Sequence, residues 1–368
     1  MSSPPPTLPL PPCPNGLFTF DEGCVLVEDA DEEIMDLYMS LASTSPEITK
    51  RDDDSGGLGF LNAKESMMEI TIDLTPDSLS HGVGPGMDLD KKVKGKGKGK
   101  QSNRGVESVV VKIQQDLGML KGQKGDTGSV LWRSSLHLST QLLRQSIYPL
   151  SYPNPVFDSA ILRGSSILEL GSGTGLLAVL LCRLCRTYTS SDRLENLKLV
   201  KRNLELNGIS TDTEVSPLGK ERGPLKMSMN GKNRSYAADQ RRPRVNLEEI
   251  DWVDVSQERK SHPERWTSTS ISREGKETKY DLILAVDCIY NEYLVQPLID
   301  TLAKYCQPGG RGVVWVVVEL RSPDVLTLFL EKWLNDPSGP WTIVRLSEGM
   351  MGDWDGRKAR WVGWVGWR

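Results

Sequence analysis

Short apolar runs alternate with helix-like apolar faces along the second half of the chain. Residues 167–170 form a strand-like run before a glycine-rich loop, and residues 176–184 form an apolar helix after it. The same alternation predicts strands at 109–113, 187–191, 245–250, 280–286 and 312–320, and helices at 135–148 and 196–207. Strands that alternate with helices favour a parallel sheet with right-handed crossovers. The pattern therefore predicts an α/β fold.

The end of the chain follows a different pattern. Two strand-like runs, at 341–346 and 360–367, are joined through the segment GMMGDWDG. A short connection of this kind suits an antiparallel hairpin. We therefore expect an antiparallel pair of strands after the parallel ones.

Three polar stretches stand apart from this pattern. Residues 1–106 begin with a proline-rich arm and are poor in apolar positions, so we predict a largely disordered N-terminal extension whose removal leaves the fold intact. Within it, residues 28–41 mix acidic and apolar positions and predict a short amphipathic helix. Residues 211–244 and 256–279 are expected to be insertions in surface loops, which cost little entropy. The ordered domain is predicted to span 107–368.

Composition and charge narrow the class of protein. The chain has 368 residues and a formal net charge of −4, which argues against a general nucleic-acid binder, since such proteins carry a strong basic excess. Its six cysteines follow no disulfide rhythm, which fits a reducing compartment, so we expect a cytoplasmic location, with the nucleus as the alternative. The sequence has no run of about eighteen apolar residues, so we do not expect a membrane span. We expect a monomer that does not contact a membrane.

A basic run from Lys91 to Lys100 lies near the end of the polar N-terminal segment, and lysines and glycines alternate in it from Lys94 onwards. One interpretation is a solvated linker. The other is a weak electrostatic contact with RNA or with a ribosomal surface. The sequence leaves both open.

The glycine loop indicates a ligand site. Gly171, Gly173 and Gly175 follow the strand at 167–170 and precede an apolar helix. Glycines permit positive φ angles and a close approach of ligand to backbone, and nucleotide-like ligands bind at the carboxyl ends of parallel strands. A dinucleotide fingerprint places its third glycine three residues after the second, where this chain has Leu176. S-adenosylmethionine is therefore favoured over a pyrophosphate-containing cofactor, with a purely structural glycine turn as the alternative.

Acidic and aromatic residues follow several predicted strands. Glu169 precedes the loop and is expected to face the cofactor's ammonium group, while Asp192 ends the next strand, where an acid accepts hydrogen bonds from ribose hydroxyls. Asp251 either accepts a hydrogen bond from the adenine amino group or is a turn residue. Trp252 either covers the adenine ring or is a core residue. Asp287 either borders the site or caps the following helix.

The segments ILELGSGTGLLAV, EEIDW, DLILAVDCIYNEYLVQPLIDTL and GSVLWRSS resemble the lysine-specific seven-β-strand methyltransferases of the methyltransferase-like 21 group, and within it members that modify ribosomal proteins. The resemblance covers residues 107–368 apart from the two insertions. Its most specific element is D-x-x-Y, present as Asp287 and Tyr290. It implies a class I methyltransferase fold (seven-β-strand, Rossmann-like), with cofactor contacts from Trp132 and Ala285 as well as from the loop and acids.

The combined predictions name two sets of residues and no metal ligand. The predicted cofactor-binding residues are Trp132, Glu169, Leu170, Gly171, Gly173, Gly175, Asp192, Asp251, Trp252 and Ala285. The predicted catalytic residues are Asp287 and Tyr290, beside the methyl-transfer site. The resemblance implies an S-adenosylmethionine-dependent protein-lysine N-methyltransferase whose partner is a protein substrate, expected to be a ribosomal protein.

Three alternatives compete with this interpretation. A methyltransferase for RNA or a small molecule is one, although enzymes that act on base nitrogens commonly carry Asn/Asp-Pro-Pro-aromatic where this chain has DCIY. A non-catalytic scaffold that keeps the fold is the second, and measured cofactor binding would argue against it. A hydrolase or metal enzyme is the third, but the sequence has no G-x-S-x-G motif and only three histidines.

Overall fold

A computed structural model describes residues 9–43, 61–62, 65–75, 108–118, 128–211, 243–267, 280–351 and 361–368. In chain order the strands are β1 (Val25–Leu26), β2 (Met67–Asp73), β3 (Ser108–Gln114), β4 (Ser166–Leu170), β5 (Thr187–Asp192), β6 (Ser210–Thr211), β7 (Arg244–Glu249), β8 (Leu282–Val286), β9 (Val313–Glu319), β10 (Thr342–Arg345) and β11 (Trp361–Trp367). The helices are α1 (Ala30–Ser43), α2 (Arg133–Ile147), α3 (Ser159–Gly164), α4 (Leu176–Leu181), α5 (Leu194–Leu206), α6 (Trp252–Ser261), α7 (Glu264–Thr267), α8 (Glu292–Tyr305), α9 (Pro323–Leu334) and α10 (Glu348–Met351). A 3₁₀ turn at Pro149–Ser151 follows α2.

Nine strands form the main sheet, in the order β1-β10-β11-β9-β8-β4-β5-β7-β6. The strands from β9 to β6 run parallel, whereas β11 pairs antiparallel with both β9 and β10. The predicted parallel sheet and its C-terminal hairpin are both confirmed. The order β7-β5-β4-β8-β9-β11-β10, with one reversed strand, is the predicted seven-stranded class I arrangement.

The central strands are apolar because helices cover both faces of the sheet. All residues of β4 and β8 are buried, as expected for parallel strands between two helical layers. Alternate residues of β9 belong to separate cores: Trp315 lies in one, and Val314 and Val316 lie in the other. The sheet thus divides the apolar interior into two layers, and its strand ends remain available for a site.

The prediction of a largely disordered segment at 1–106 is wrong for residues 9–43. Leu17 is 0% exposed and Phe18 is 3% exposed. The Phe18 ring packs edge-on against Trp315, with 5.6 Å between ring centroids. An apolar-poor segment can still contribute to a core when its few large side chains fill holes on a surface built by distant residues.

The amphipathic helix predicted at 28–41 is confirmed as α1, and a buried ionic contact ties it to the sheet. The Glu33 carboxylate accepts hydrogen bonds from Arg345 Nη1 and Trp364 Nε1, each at 2.8 Å. Burial raises the pKa of Glu33, and the charge of Arg345 opposes that shift. The strand β1, just before this helix, pairs with β10 and extends the sheet edge.

Two further expectations are resolved in part. Residues 67–73 form β2, which pairs antiparallel with β3 along its whole length, so part of the predicted extension is a strand. Residues 256–261 and 264–267 belong to helices α6 and α7 and not to a loop insertion. Arg259 of α6 is buried and donates to Asp300 and Asp336 at 2.7 Å, which anchors this helix to the domain. Residues 91–100 and most of 211–244 lie outside the described residues.

Within the described residues, no helix combines the length and apolarity that a bilayer crossing requires.

Candidate active site

A cavity of about 300 Å³ opens at the carboxyl ends of β4, β5, β7 and β8. This is the edge at which ligands of parallel α/β sheets bind, and its size is at the lower end of the range for small-molecule sites. Residues that follow these four strands supply much of the lining, which includes Gly128, Trp132, Gly171, Ser172, Gly173, Asp192, Asn196, Asp251, Trp252, Asp287, Cys288 and Tyr290.

The glycine loop needs glycine for both conformation and space. Gly171 has a φ of 65° and Gly173 a φ of 56°, in the left-handed region. A Cβ at Gly171 would lie 3.0 Å from the Cys288 sulfur and 3.1 Å from the Trp252 ring. A Cβ at Gly173 would lie 2.9 Å from the carbonyl oxygen of Gly128. The loop therefore sits tightly between the segments that complete the cavity wall.

Asp192 holds this loop in place. Its Oδ2 accepts from the N–H of Gly173 at 2.8 Å, and its Oδ1 accepts from the N–H of Arg193 and from Asn196 Nδ2 at 2.8 and 2.9 Å. Burial raises the pKa of Asp192, and these donors oppose that shift. A carboxylate offers about four acceptor positions, so Oδ2 keeps one for a ligand hydroxyl. Asp192 thus lines the cavity at the end of β5 and also has a structural task.

Glu169 does not reach the cavity as expected. Its carboxylate lies beside β5, where Oε2 accepts from the Tyr188 hydroxyl at 3.0 Å and from Ser190 Oγ at 3.3 Å. Burial raises the pKa of Glu169 to about 8. The expected contact with a cofactor ammonium is therefore not supported by this geometry, because the side chain is directed between two strands.

The ten predicted cofactor residues divide into two groups. Six line the cavity: Trp132, Gly171, Gly173, Asp192, Asp251 and Trp252. The other four, namely Glu169, Leu170, Gly175 and Ala285, are absent from its lining. Leu170 and Ala285 are fully buried within their strands, and Gly175 has a φ of 75° where a Cβ would meet Val200 at 2.9 Å. All four are buried outside the cavity lining.

The position of Asp251 is compatible with both roles proposed for it. Its Oδ1 accepts from the N–H of Val253 at 2.8 Å, which caps α6. Asp251 and the half-buried Trp252 also line the cavity. The aspartate as a turn residue and the aspartate as a ligand neighbour are therefore compatible.

Asp287 does not cap the following helix, because Asn291 does. The side-chain oxygen of Asn291 accepts from the N–H of Tyr293 at 3.1 Å at the start of α8. Asp287 has a φ of 58° and, among the described residues, is the sole non-glycine residue with positive φ. Such a conformation costs about 1–2 kcal/mol, and strained residues cluster at functional sites.

The Asp287 carboxylate is held by a charged cluster. Oδ1 accepts from Arg321 Nη1 at 2.9 Å, and Oδ2 accepts from Arg321 Nη2 at 2.7 Å and from Ser134 Oγ at 2.9 Å. Arg321 Nη2 also donates to Glu319 at 2.5 Å. The guanidinium lies 4.7 Å from the centre of the Trp132 ring, within the range of a cation–π contact. Tyr290, which is 38% exposed, lies at the same cavity.

Sequence reasoning missed several residues of the site. Ser134, Glu319 and Arg321 form the cluster around Asp287, and Ser172 and Asn196 line the cavity. Glu319 lies near the end of the strand predicted at 312–320 and Arg321 follows that strand, so the rule that functional groups gather at strand ends offered a signal. Ser134 and Asn196 lie on helices, and no spacing in the sequence distinguishes them.

The polar groups of the cavity favour a polar ligand of positive charge. Its lining contains three aspartates, Asp192, Asp251 and Asp287, against one arginine, Arg193. Ser172 Oγ and Asn196 Oδ1 are buried and have no hydrogen-bond partner among the described residues. Buried polar atoms are normally paired, so these two atoms fit a site that a ligand completes.

Comparisons with known proteins identify a family and several relatives. A family model described as lysine methyltransferase matches residues 111–227 and 241–332. The diaminohydroxyphosphoribosylamino-pyrimidine deaminase of Schizosaccharomyces pombe is 30% identical over 60% of this chain and 41% of its own length. The protein-lysine N-methyltransferase EEF2KMT of Bos taurus is 26% identical over 60% of this chain and 55% of its own. The ribosomal lysine N-methyltransferase 5 of Saccharomyces cerevisiae is 26% identical over 82% of this chain and 89% of its own.

These matches differ in how much of each relative they include. The chain spans about two fifths of the deaminase and about half of EEF2KMT. The family model, in contrast, covers more than half of this chain, including the glycine loop and the strand that ends before Asp287. This protein therefore belongs to the lysine methyltransferase family.

Proposed function

We propose that this protein is an S-adenosylmethionine-dependent protein-lysine N-methyltransferase. The observation that carries the proposal is the cavity at the strand ends, which joins a glycine loop at one side to Asp287 and Tyr290 at the other. Membership of the lysine methyltransferase family supports it. An acidic lining suits a cofactor that carries a sulfonium and an ammonium group better than it suits a pyrophosphate.

The residues present fit this cofactor. Asp192 keeps an acceptor position for a ribose hydroxyl, and Ser172 and Asn196 offer unpaired polar atoms beside the glycine loop. Trp252 offers an aromatic face and Asp251 a carboxylate close to it, which suits an adenine ring and its amino group. When bound, S-adenosylmethionine supplies a methyl group on a positively charged sulfur.

The chain's own residues orient the acceptor and keep water out. The acceptor lysine is expected to enter beside Tyr290, between the apolar walls of the cavity. Apolar surroundings favour the neutral amine, and only a neutral amine has the lone pair for attack. Bound S-adenosylmethionine would supply the methyl group with a neutral sulfide as the leaving group, and the methylated amine would release one proton to water. Alignment and exclusion of water are the main contributions of a protein to such a displacement.

We further propose that the acceptor belongs to a ribosomal protein. A relative whose name describes a ribosomal lysine N-methyltransferase aligns over 82% of this chain, which supports this acceptor. A translation factor is the second candidate, supported by the shorter match to EEF2KMT. An RNA contact through residues 91–100 stays a proposal, since this run lies outside the described residues.

The test is label transfer from S-adenosylmethionine carrying a radioactive methyl group. Purified full-length protein is incubated with extract from cells that lack it, and the labelled band is hydrolysed to amino acids. We expect label in methylated lysine of a ribosomal protein. Label that survives protease but not nuclease would instead favour an RNA acceptor. Cofactor binding by calorimetry without any transfer would favour the scaffold alternative.

A further inference from the structure

The Asp287 carboxylate has little capacity left for a substrate amine. Three hydrogen bonds of 2.7–2.9 Å come from Arg321 and Ser134, and the N–H of Glu319 lies 3.5 Å from Oδ1. A carboxylate has about four acceptor positions. A direct contact with an incoming amine therefore competes with partners that the protein already supplies.

Arg321 is the cation bound directly to this carboxylate, and it is shared with a second carboxylate, that of Glu319. Asp287 and Glu319 carry two negative charges against the single positive charge of Arg321, and the Arg321 side chain is 23% exposed beside a 3% exposed Asp287. Burial acts to lower the pKa of Arg321, but Asp287 and Glu319 outweigh it, so the pKa is raised and the group stays charged. The other charged or titratable groups that face the cluster are Arg133 from α2, Cys288 beside Asp287, and Asp192 and Tyr290 at the cavity.

The pairing of Asp287 with Arg321 affects the protonation state of the acceptor lysine. A carboxylate that lies within about 4–6 Å of a lysine and has no counter-ion of its own raises the pKa of the lysine amine, commonly by 1–3 units. The amine is then held as an unreactive ammonium. A guanidinium paired with that carboxylate cancels much of the effect. Burial raises the pKa of Cys288, so its thiol adds no charge at neutral pH. Arg321 is thus the cation that offsets the charge of Asp287 by direct contact.

We propose that Arg321 is a positioning residue of the transfer reaction, which offsets the charge of Asp287 and so lets the acceptor lysine enter as a neutral amine. The inference rests on the proposed function. Arg321 is absent from the cavity lining and acts through two residues that belong to it: it binds Asp287 through two parallel hydrogen bonds and lies against Trp132. A planar guanidinium can form both contacts at once, and an ammonium cannot.

The test is the pH dependence of the initial methylation rate with saturating S-adenosylmethionine. Total ribosomal protein from cells that lack this enzyme serves as the substrate. Arg321→Gln removes the positive charge, so the acid limb of the profile is expected to move to higher pH by about one unit, with about tenfold slower turnover on that limb. Glu319→Gln removes a negative charge and is expected to move the same limb to lower pH.

Two further variants separate charge from structure. Arg321→Lys keeps the charge without the two parallel hydrogen bonds, so the limb is expected at its wild-type position with a lower plateau. Arg321→Gln combined with Asp287→Asn removes both charges and is expected to move the limb back towards wild type. Cofactor affinity and melting temperature are measured for each variant, and Glu319→Gln decides alone if Arg321→Gln does not fold.

The outcomes are distinct. Opposite displacements of the limb in Arg321→Gln and Glu319→Gln would support the proposal, because a general loss of structure does not move a pH limb in two directions. If the variants fold, bind cofactor and are active, but their acid limbs coincide with that of the wild type, the inference about Arg321 is wrong. The proposed function would be unaffected by that result. A wild type that transfers no methyl group to protein lysine would overturn the proposed function and this inference with it.

Discussion

The parallel half of the sheet and its antiparallel edge are held together by different contacts. β4, β5, β7 and β8 carry the glycine loop and the three aspartates of the cavity at their carboxyl ends. The edge strands β10, β11 and β1 depend on the N-terminal segment, where Glu33 binds Arg345 and Trp364, which lie 312 and 331 residues away in sequence. The chemistry thus lies in local motifs, and the stability of the edge lies in long-range contacts.

β9 is the border between the two regions. It pairs parallel with β8 on one side and antiparallel with β11 on the other. Glu319 ends this strand opposite Trp361 of β11, and Arg321 follows and binds Asp287 beyond the end of β8. A change in the edge therefore has a physical route to the acceptor side of the cavity.

The largest effect is expected from removal of residues 1–43. Leu17 and Phe18 each lose burial worth about 1.5–3 kcal/mol, and loss of Glu33 leaves a partly buried Arg345 unpaired, at about 3–5 kcal/mol. The sum is comparable to the whole stability of a typical domain. We expect the truncated protein to lose its cooperative unfolding transition. The transition is measured by circular dichroism as a function of temperature. This reverses the outcome expected from composition.

A matched pair of point variants localises that effect. Phe18→Ala is expected to destabilise the fold by about 3–5 kcal/mol because it empties a buried site. Met39→Ala on α1, where the side chain is 62% exposed, is expected to change stability by about 0.5 kcal/mol or less. A truncated protein that unfolds with the wild-type midpoint would show that the N-terminal segment is not part of the core.

The two regions also differ in how well the sequence predicted them. Strands β4, β5, β7, β8 and β9 of the parallel half were predicted to within two residues, because their apolar runs and the glycine loop are contiguous signals. The two-residue strand β6 was not predicted. The burial of Leu17 and Phe18 was not predicted, since the holes they fill are built by residues such as Trp315 far along the chain. The same limit applied to Arg321, whose contact with Asp287 depends on the adjacency of β8 and β9 rather than on any spacing.

The next effect concerns the buried carboxyl of the central strand. Burial raises the pKa of Glu169 from its ordinary value of 4.5 to about 8. Between these values the folded state binds more protons than the unfolded chain, so this contribution to stability is fully present below about pH 4.5 and is lost as pH rises through 8. Glu169→Gln is expected to remove this dependence, a difference on the order of 3 kcal/mol between pH 5 and pH 8.

Urea unfolding at pH 5, 6.5 and 8 measures this difference between Glu169→Gln and the wild type. The exposed Glu249→Gln, at the end of β7, serves as the control and is expected to follow the wild-type profile. Parallel profiles for Glu169→Gln and wild type would place the pH dependence elsewhere, with the buried Glu33 of the edge as the first candidate.

Asp192→Ala tests the cofactor side of the parallel half. The variant removes the acceptor left for a ribose hydroxyl and the hydrogen bond to the N–H of Gly173. Charge-assisted hydrogen bonds contribute about 1.5–3 kcal/mol, so the affinity for S-adenosylmethionine is expected to fall at least about tenfold in calorimetry. The exposed Asp324→Ala on α9 is the control. An unchanged dissociation constant for Asp192→Ala would remove this residue from the cofactor site.

The smallest effect, and the one closest to the border between the two regions, is expected from Asp287→Asn. Asparagine keeps the size of the side chain and tolerates positive φ better than most residues, so the protein is expected to fold and to bind S-adenosylmethionine. Asparagine has one side-chain oxygen, so it cannot accept both parallel hydrogen bonds from Arg321. The resulting misalignment is expected to slow turnover at the pH optimum about tenfold to a hundredfold, or about 1.4–2.7 kcal/mol of transition-state stabilisation. The exposed Asp254→Asn on α6 controls for charge alone. Because Asn291 caps α8, a decrease in turnover cannot be assigned to a lost helix cap. Wild-type turnover in Asp287→Asn would mean that Asp287 only supports the backbone at the end of β8, and that the acceptor is aligned by Tyr290 and the cavity walls.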